Sequence, residues 1–186
     1  MRSTLRNLLC AALALLGAIS ANAYGDNPAG AIRFLASQSG VTLQGTFNGF
    51  AANVKFDPAK PETGAVQVRV NVGSVSTGTA SADELLRSED FFDATKYPQA
   101  TFEASDFRAQ GAGHYVAKGT FTLKGHAVSQ MVAFTTTTDA QGQWFDGSFT
   151  ISRLSFGVGQ GEWADTSTLD DAVQIQFHIL QKKTPQ

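Results

Sequence analysis

The chain has one cysteine, three histidines and no long apolar run beyond its first residues. The single cysteine, Cys10, excludes an intrachain disulfide and leaves too few thiolates for a metal centre. The longest apolar run, from Leu8 to about Ser20, is shorter than the roughly 18 residues that a membrane-spanning helix needs. The sequence therefore predicts no disulfide, no thiolate metal site and no transmembrane segment.

The first residues have the pattern of a secretory signal peptide. Arg2 and Arg6 precede the apolar run, and an A-x-A cleavage pattern follows it at residues 21–23. We expect residues 1–23 to be removed on export and residues 24–186 to form one domain.

Charge and composition narrow the possible binding partners and the fold class. The chain carries 14 basic and 16 acidic residues, and this slight acidity argues against nucleic acid or an anionic membrane as the main partner. Fourteen phenylalanines and 18 glycines favour β structure over helix.

Strands are indicated by apolar residues at every second position. The clearest segment, residues 65–76, alternates Val66, Val68, Val70 and Val72 with polar side chains. Similar alternation predicts seven more strands, at residues 31–37, 45–56, 99–107, 114–124, 127–138, 143–155 and 173–179. Short links predict antiparallel pairing, as a sandwich or as a barrel, and we favour an all-β, eight-stranded antiparallel barrel.

One helix is predicted between strands. Ser81 is a candidate N-cap, with Glu84 three residues later in the capping-box position. Pro98 ends the segment, because the residue before proline avoids the helical region. We expect the helix to cover one rim of the barrel, with Phe91, Phe92 and Tyr97 pointing inward.

Four stretches resemble the YceI-like family of lipid- or polyisoprenoid-binding proteins. The most specific is LLRSEDFFDATKYPQATFEAS at 85–105, where an acidic residue, an aromatic pair and a Tyr-Pro precede a T-x-F strand. The others are GVTLQGTFNGFAANVKFDP at 40–58, GTFTLKGHAVSQMVAF at 119–134 and SFTISRLSFGVGQGEW at 148–163. The resemblance implies a periplasmic, lipocalin-like barrel that holds an isoprenoid lipid, such as a quinone or a polyprenyl compound. Ser155 departs from the family pattern, which usually has an acid there.

The inward strand positions are the candidate ligand contacts, together with Phe91 and Phe92 from the covering segment. The same alternation also fits a solid core, because it reports burial and not a hollow. The strand positions are Phe47, Phe50, Phe56, Val68, Val70, Phe102, Phe121, Phe134, Phe149, Ile151, Ile175 and Phe177.

Arg153 continues the inward face of Phe149 and Ile151. Its guanidinium could meet a quinone carbonyl or a phosphate headgroup, but a buried arginine more often pairs with a carboxylate. The candidate carboxylates are Asp90, Asp93 and Glu103.

Catalytic and metal signals are weak. His114, His126 and His178 have no ligand spacing, and the glycines of GVGQG at 157–161 follow a strand without opening a helix. No serine lies in a G-x-S-x-G elbow. We expect no cofactor, no metal and no enzymatic activity.

Three hypotheses remain open at this point. The first is a periplasmic carrier of an isoprenoid lipid. The second is a cyclase or isomerase acting on an apolar guest, with Arg153 and a carboxylate as the polar pair. The third is an interaction module for a membrane redox protein, suggested by family members joined to membrane cytochromes. A homodimer is compatible with each of them.

Overall fold

The computed structural model describes residues 30–182, so the predicted signal peptide at 1–23 lies outside the described residues. These residues form ten strands and one α-helix, α1 (Ala80–Arg87). The strands are β1 (Gly30–Gln38), β2 (Val41–Phe47), β3 (Phe50–Lys55), β4 (Ala65–Asn71), β5 (Val75–Ser76), β6 (Gln99–Gly111), β7 (His114–Leu123), β8 (His126–Thr138), β9 (Gly142–Ser152) and β10 (Ala172–Lys182).

The predicted count of eight strands is wrong because two predicted strands are each divided. Residues 45–56 belong to the β2–β3 hairpin, which turns at Asn48 and Gly49. Residues 65–76 are interrupted by a 3-10 turn at Val72–Ser74, where the Asn71 side chain accepts a hydrogen bond from the Gly73 N–H. Alternating hydrophobicity runs through both turns, so periodicity alone did not reveal them.

All ten strands belong to one antiparallel sheet in the order β3-β4-β6-β7-β8-β9-β10-β1-β2-β5. The all-β antiparallel class with a short helix is therefore confirmed. Hydrogen bonds do not close the sheet into a barrel, because β3 and β5 are edges that do not pair with each other, and the lipocalin-like detail of the prediction is not confirmed. The sheet forms a half-barrel, with an apolar concave face and a largely polar convex face.

The helix begins two residues earlier than predicted, and different side chains stabilise its start. Thr79, not Ser81, is the N-cap residue, and its side chain makes no capping hydrogen bond. Instead the Asp83 carboxylate accepts hydrogen bonds from the backbone N–H and the hydroxyl of Thr77, each at 2.7 Å. The predicted capping pair of Ser81 and Glu84 is thus replaced by a carboxylate that reaches back to the preceding loop.

The helix is tied to the sheet at its other end by Arg87. The guanidinium of Arg87 donates to the carbonyl oxygens of Gly73 at 2.8 Å and Val75 at 3.0 Å.

No helix within residues 30–182 is long and apolar enough to cross a bilayer.

The buried side chains fall into two groups along the half-barrel. The larger group lies near α1, and the smaller lies at the opposite end, where β6 and β7 approach their hairpin. Five aromatic rings of the smaller group pack around one another, and we call them the aromatic plug: Phe56, Phe107, Tyr115, Phe134 and Phe145.

Candidate ligand-binding site

Two apolar cavities lie against the concave face, with volumes of about 100 and 430 Å³. We call the smaller one the inner cavity and the larger one the outer cavity. Both are lined by Ile32, Val70, Phe121 and Ile175, so the two adjoin each other. Together they extend from the aromatic plug to the helix α1.

The inner cavity is lined only by apolar side chains. Phe102 and Phe149 stack with their ring centroids 6.3 Å apart, and the ring of Phe121 meets Phe149 edge-on at 5.6 Å. Phe107, Phe134 and Phe145 of the aromatic plug form its far wall. A side chain or ligand atom in this space meets hydrocarbon on every side, so the inner cavity suits an apolar chain.

The outer cavity opens between β2 and α1. Leu43 lies opposite Ala36 in the β1–β2 ladder, and Val41 lies opposite Gln38, so both side chains belong to the concave face. Leu43 is nevertheless 39% exposed and Val41 62% exposed. We call this opening the mouth, because inward-facing apolar side chains meet solvent there.

The polar groups of the outer cavity lie mostly beside the mouth and are neutral. Apart from Arg153, the polar residues in its lining are Gln38, Thr42, Gln44, Thr77 and Thr79. The helix residues Ala82, Leu85 and Leu86 form the apolar wall across from them. This arrangement offers hydrogen bonds to a polar group at the mouth and hydrocarbon surface deeper in.

Arg153 is 2% exposed and lines the outer cavity, but it does not pair with Asp90, Asp93 or Glu103. Its guanidinium donates instead to five backbone carbonyl oxygens at 2.7–3.0 Å: those of Val158, Gly159, Trp163, Leu169 and Asp170. Burial lowers the pKa of Arg153, and the charge of Asp171 partly offsets this effect. Because all five N–H groups are used, this side chain organises a loop and has no donor left for a headgroup.

The loop organised by Arg153 and the segment after α1 form a common roof over the outer cavity. The N–H groups of Gly159 and Gln160 both donate to the Asp90 carbonyl oxygen, at 2.7 and 2.9 Å. The ring centroids of Phe91 and Trp163 lie 5.6 Å apart, and both residues line the outer cavity. The glycines at 157, 159 and 161 have positive φ, in keeping with the irregular loop predicted for GVGQG.

Thirteen of the fifteen predicted contact residues line one or both cavities. Those of the inner cavity alone are Val68, Phe102, Phe134, Phe149 and Phe177, and those of both are Val70, Phe121 and Ile175. Those of the outer cavity alone are Phe47, Phe91, Phe92, Ile151 and Arg153.

Two predicted contacts lie elsewhere, and Tyr97 does not point inward. Phe50 packs at the edge of the larger core group, and Phe56 lies behind the wall of the inner cavity as the centre of the aromatic plug. Tyr97 lies over the β7–β8 turn, where a Cβ on Gly125 would come within 2.9 Å of its ring.

The sequence did not single out several lining residues. Ile32 and Phe34 of β1 fit the alternation of residues 31–37, which was assigned to a strand but not to the site. Val158 and Leu169 come from the irregular loop, where no periodic signal exists.

The histidines do not form a metal site within residues 30–182, where no group of three His, Cys, Asp or Glu side chains is arranged to hold a metal ion. His178 lies on the convex face, with its Nδ1 2.6 Å from Asp146 Oδ1 and its ring stacked 4.2 Å from Trp144. His114 and His126 are exposed at strand ends.

Comparison with known proteins identifies relatives over most of the chain. The model of the YceI-like domain matches residues 26–180. A UPF0312 protein of Pseudomonas savastanoi is 31% identical over 150 residues, covering 76% of this chain and 75% of the relative. One of Shewanella denitrificans is 32% identical over 164 residues, covering 83% and 86%.

Solved structures agree with the fold. BcnA of Burkholderia cenocepacia superposes with a TM-score of 0.80 at 38% identity, over 82% of this chain and 96% of that one. A domain of Saccharophagus degradans described as polyisoprenoid-binding has a TM-score of 0.63 at 13% identity, over 83% and 94%. The match over residues 26–180 and the similarity to the UPF0312 relatives place the chain in the YceI-like family.

Proposed function

We propose that the protein binds one long-chain isoprenoid lipid, with the chain in the two adjoining cavities and a neutral headgroup at the mouth. The observation that carries the proposal is the inner cavity, whose entire lining is apolar and which adjoins a larger cavity that reaches solvent. Each 100 Å² of chain surface removed from water in such a site contributes about 2.5 kcal/mol. A chain ligand therefore gains affinity along its whole buried length.

The headgroup is assigned from the polar groups beside the mouth. Gln38 and Thr79 offer neutral donors and acceptors, which match a hydroxyl or a quinone carbonyl, whereas the Thr77 hydroxyl already donates to Asp83. Arg153 is the cationic side chain in the cavity lining that could bind a phosphate group. Its five N–H groups, however, already donate to backbone carbonyls. These contacts favour a polyprenol or a quinone over a phosphorylated lipid.

Binding without chemical conversion is the role that these side chains support. Among the described residues that line the two cavities, Arg153 is the one with an ionisable side chain, and its contacts are structural. The description of the Saccharophagus domain as polyisoprenoid-binding agrees with this ligand class, although that domain shares only the fold. Transport in the periplasm is the accompanying proposal, and it depends on cleavage of the predicted signal peptide.

The decisive experiment is mass spectrometry of the lipid that stays bound through native purification. We expect one apolar chain compound per protein. Phe121→Asp places a carboxylate in the lining of both cavities and should abolish loading. Thr120→Asp is the matched control, because the adjacent Thr120 is exposed on the other face of β7.

Circular dichroism must show that both variants are folded. If the purified protein carries no apolar compound and takes up neither prenol nor quinone, the proposed function is wrong. Loading of folded Phe121→Asp at the level of the control would equally contradict it.

A further inference from the structure

The aromatic plug closes the half-barrel at the end opposite the mouth. Phe107, Phe134 and Phe145 form the far wall of the inner cavity. Each contacts Phe56, with ring centroids at 5.5, 5.4 and 5.7 Å respectively. Phe56 is 6% exposed and also packs against Tyr115 at 5.0 Å, so a second, closely packed aromatic layer supports the wall.

We propose that the aromatic plug sets the longest chain that the site accepts. This inference rests on the proposed function and adds a specificity determinant to it. A chain that enters at the mouth advances along the apolar lining until it meets the rings of Phe134 and Phe145. Carbon atoms beyond that length remain in water and add nothing to the affinity.

The expected signature is a plateau in affinity. Each added isoprene unit that enters the cavities removes apolar surface from water and tightens binding by at least about tenfold. Units that remain outside give a change close to onefold. The chain length at which the plateau begins is the length that the plug allows.

Two positions move the wall in opposite directions. Phe134 lines the inner cavity and touches three other rings of the plug besides Phe56, so Phe134→Ala extends the cavity toward the plug. Ala117 is 2% exposed and lines the same cavity, so Ala117→Leu fills space just in front of the plug. The first variant should move the plateau to longer chains and the second to shorter chains, each by about one isoprene unit.

The test measures the affinities of the wild-type chain and both variants for geraniol, farnesol, geranylgeraniol and longer all-trans prenols. Both substitutions disturb a packed core and reduce stability, so a general loosening would shift both plateaus in the same direction. Opposite shifts support the inference. Folding is checked by circular dichroism, and Phe56→Leu replaces Phe134→Ala if the latter does not fold.

Two negative outcomes are distinguishable. If the wild-type chain binds prenols but all three proteins share one plateau, the plug does not set the length and the inference is overturned, while the proposed function stands. If the wild-type chain binds no prenol of any length, the proposed function itself fails and the inference falls with it.

Discussion

At the scale of single residues, Arg153 shows how a buried cation is held by this fold without a carboxylate. Five backbone carbonyl oxygens surround its guanidinium, and their dipoles replace the water that burial removes. The carbonyls belong to a loop with little regular structure, so this one side chain fixes the path of the residues that roof the outer cavity. The sequence placed Arg153 inward but suggested carboxylates as its partners, because alternation identifies a face and not a hydrogen-bond acceptor.

Arg153→Lys should therefore be costly although the charge is kept. An ammonium group has three donors, so at least two buried carbonyls lose their partners. We expect a loss of about 3 kcal/mol in the free energy of unfolding, measured by urea denaturation. Arg108→Lys is the control, because Arg108 is exposed and pairs only with Asp106, and it should change stability by less than about 0.5 kcal/mol. Equal stability of the two variants would show that the Arg153 contacts do not hold the loop.

At the scale of secondary-structure elements, helix α1 depends on one half-buried carboxylate near its start, that of Asp83. The hydroxyl and backbone N–H of Thr77 hydrogen bond to Asp83 and hold its pKa below the ordinary value, despite a small opposing effect of burial. These contacts join the helix to the loop that follows β5, where Thr77 and Thr79 lie beside the mouth.

The lowered pKa gives a defined pH dependence. Since the folded-state pKa lies below the unfolded value of about 3.9, the ionised Asp83 stabilises the fold above roughly pH 4, and this contribution is lost as the pH falls through the folded-state pKa. Asp83→Asn should lower the urea midpoint at pH 7, and its difference from the wild-type chain should shrink as the pH falls below about 4. Glu84→Gln, which neutralises the next carboxylate, should leave the midpoint at pH 7 nearly unchanged. A difference between Asp83→Asn and the wild-type chain that persists undiminished at low pH would contradict this assignment.

The elements also show what the sequence could predict. Alternation located β1, β4 and β6 to β10 with their buried faces, and it predicted an inward position for Phe102, Phe121 and Phe149, which line the inner cavity. It did not reveal the edges β3 and β5, because the order of strands depends on pairing between distant residues. It also could not separate Phe56, behind the cavity wall, from Phe134, in the wall, since both are buried on the same face.

At the scale of the whole molecule, residues 30–182 form a half-barrel whose apolar passage has a plugged end and an end open to solvent. The plugged end is dense with aromatic rings, and the open end exposes Leu43 and Val41 on the concave face. A ligand that occupies the passage must therefore enter and leave past the same side chains.

A charge at the mouth should consequently slow exchange in both directions. In Leu43→Asp an apolar chain must pass a hydrated carboxylate. We expect the barriers to association and dissociation each to rise by about 1.4 kcal/mol, so that both rates fall about tenfold. The equilibrium affinity should change little, because the bound chain lies deeper. Stopped-flow fluorescence with a neutral apolar probe such as diphenylhexatriene measures both rates. Met131→Asp is the control, because Met131 is another exposed apolar side chain, 63% exposed against 39% for Leu43, and it lies on β8 and lines neither cavity. If Leu43→Asp exchanges the probe as fast as Met131→Asp, ligands reach the cavities by a route other than the gap between β2 and α1.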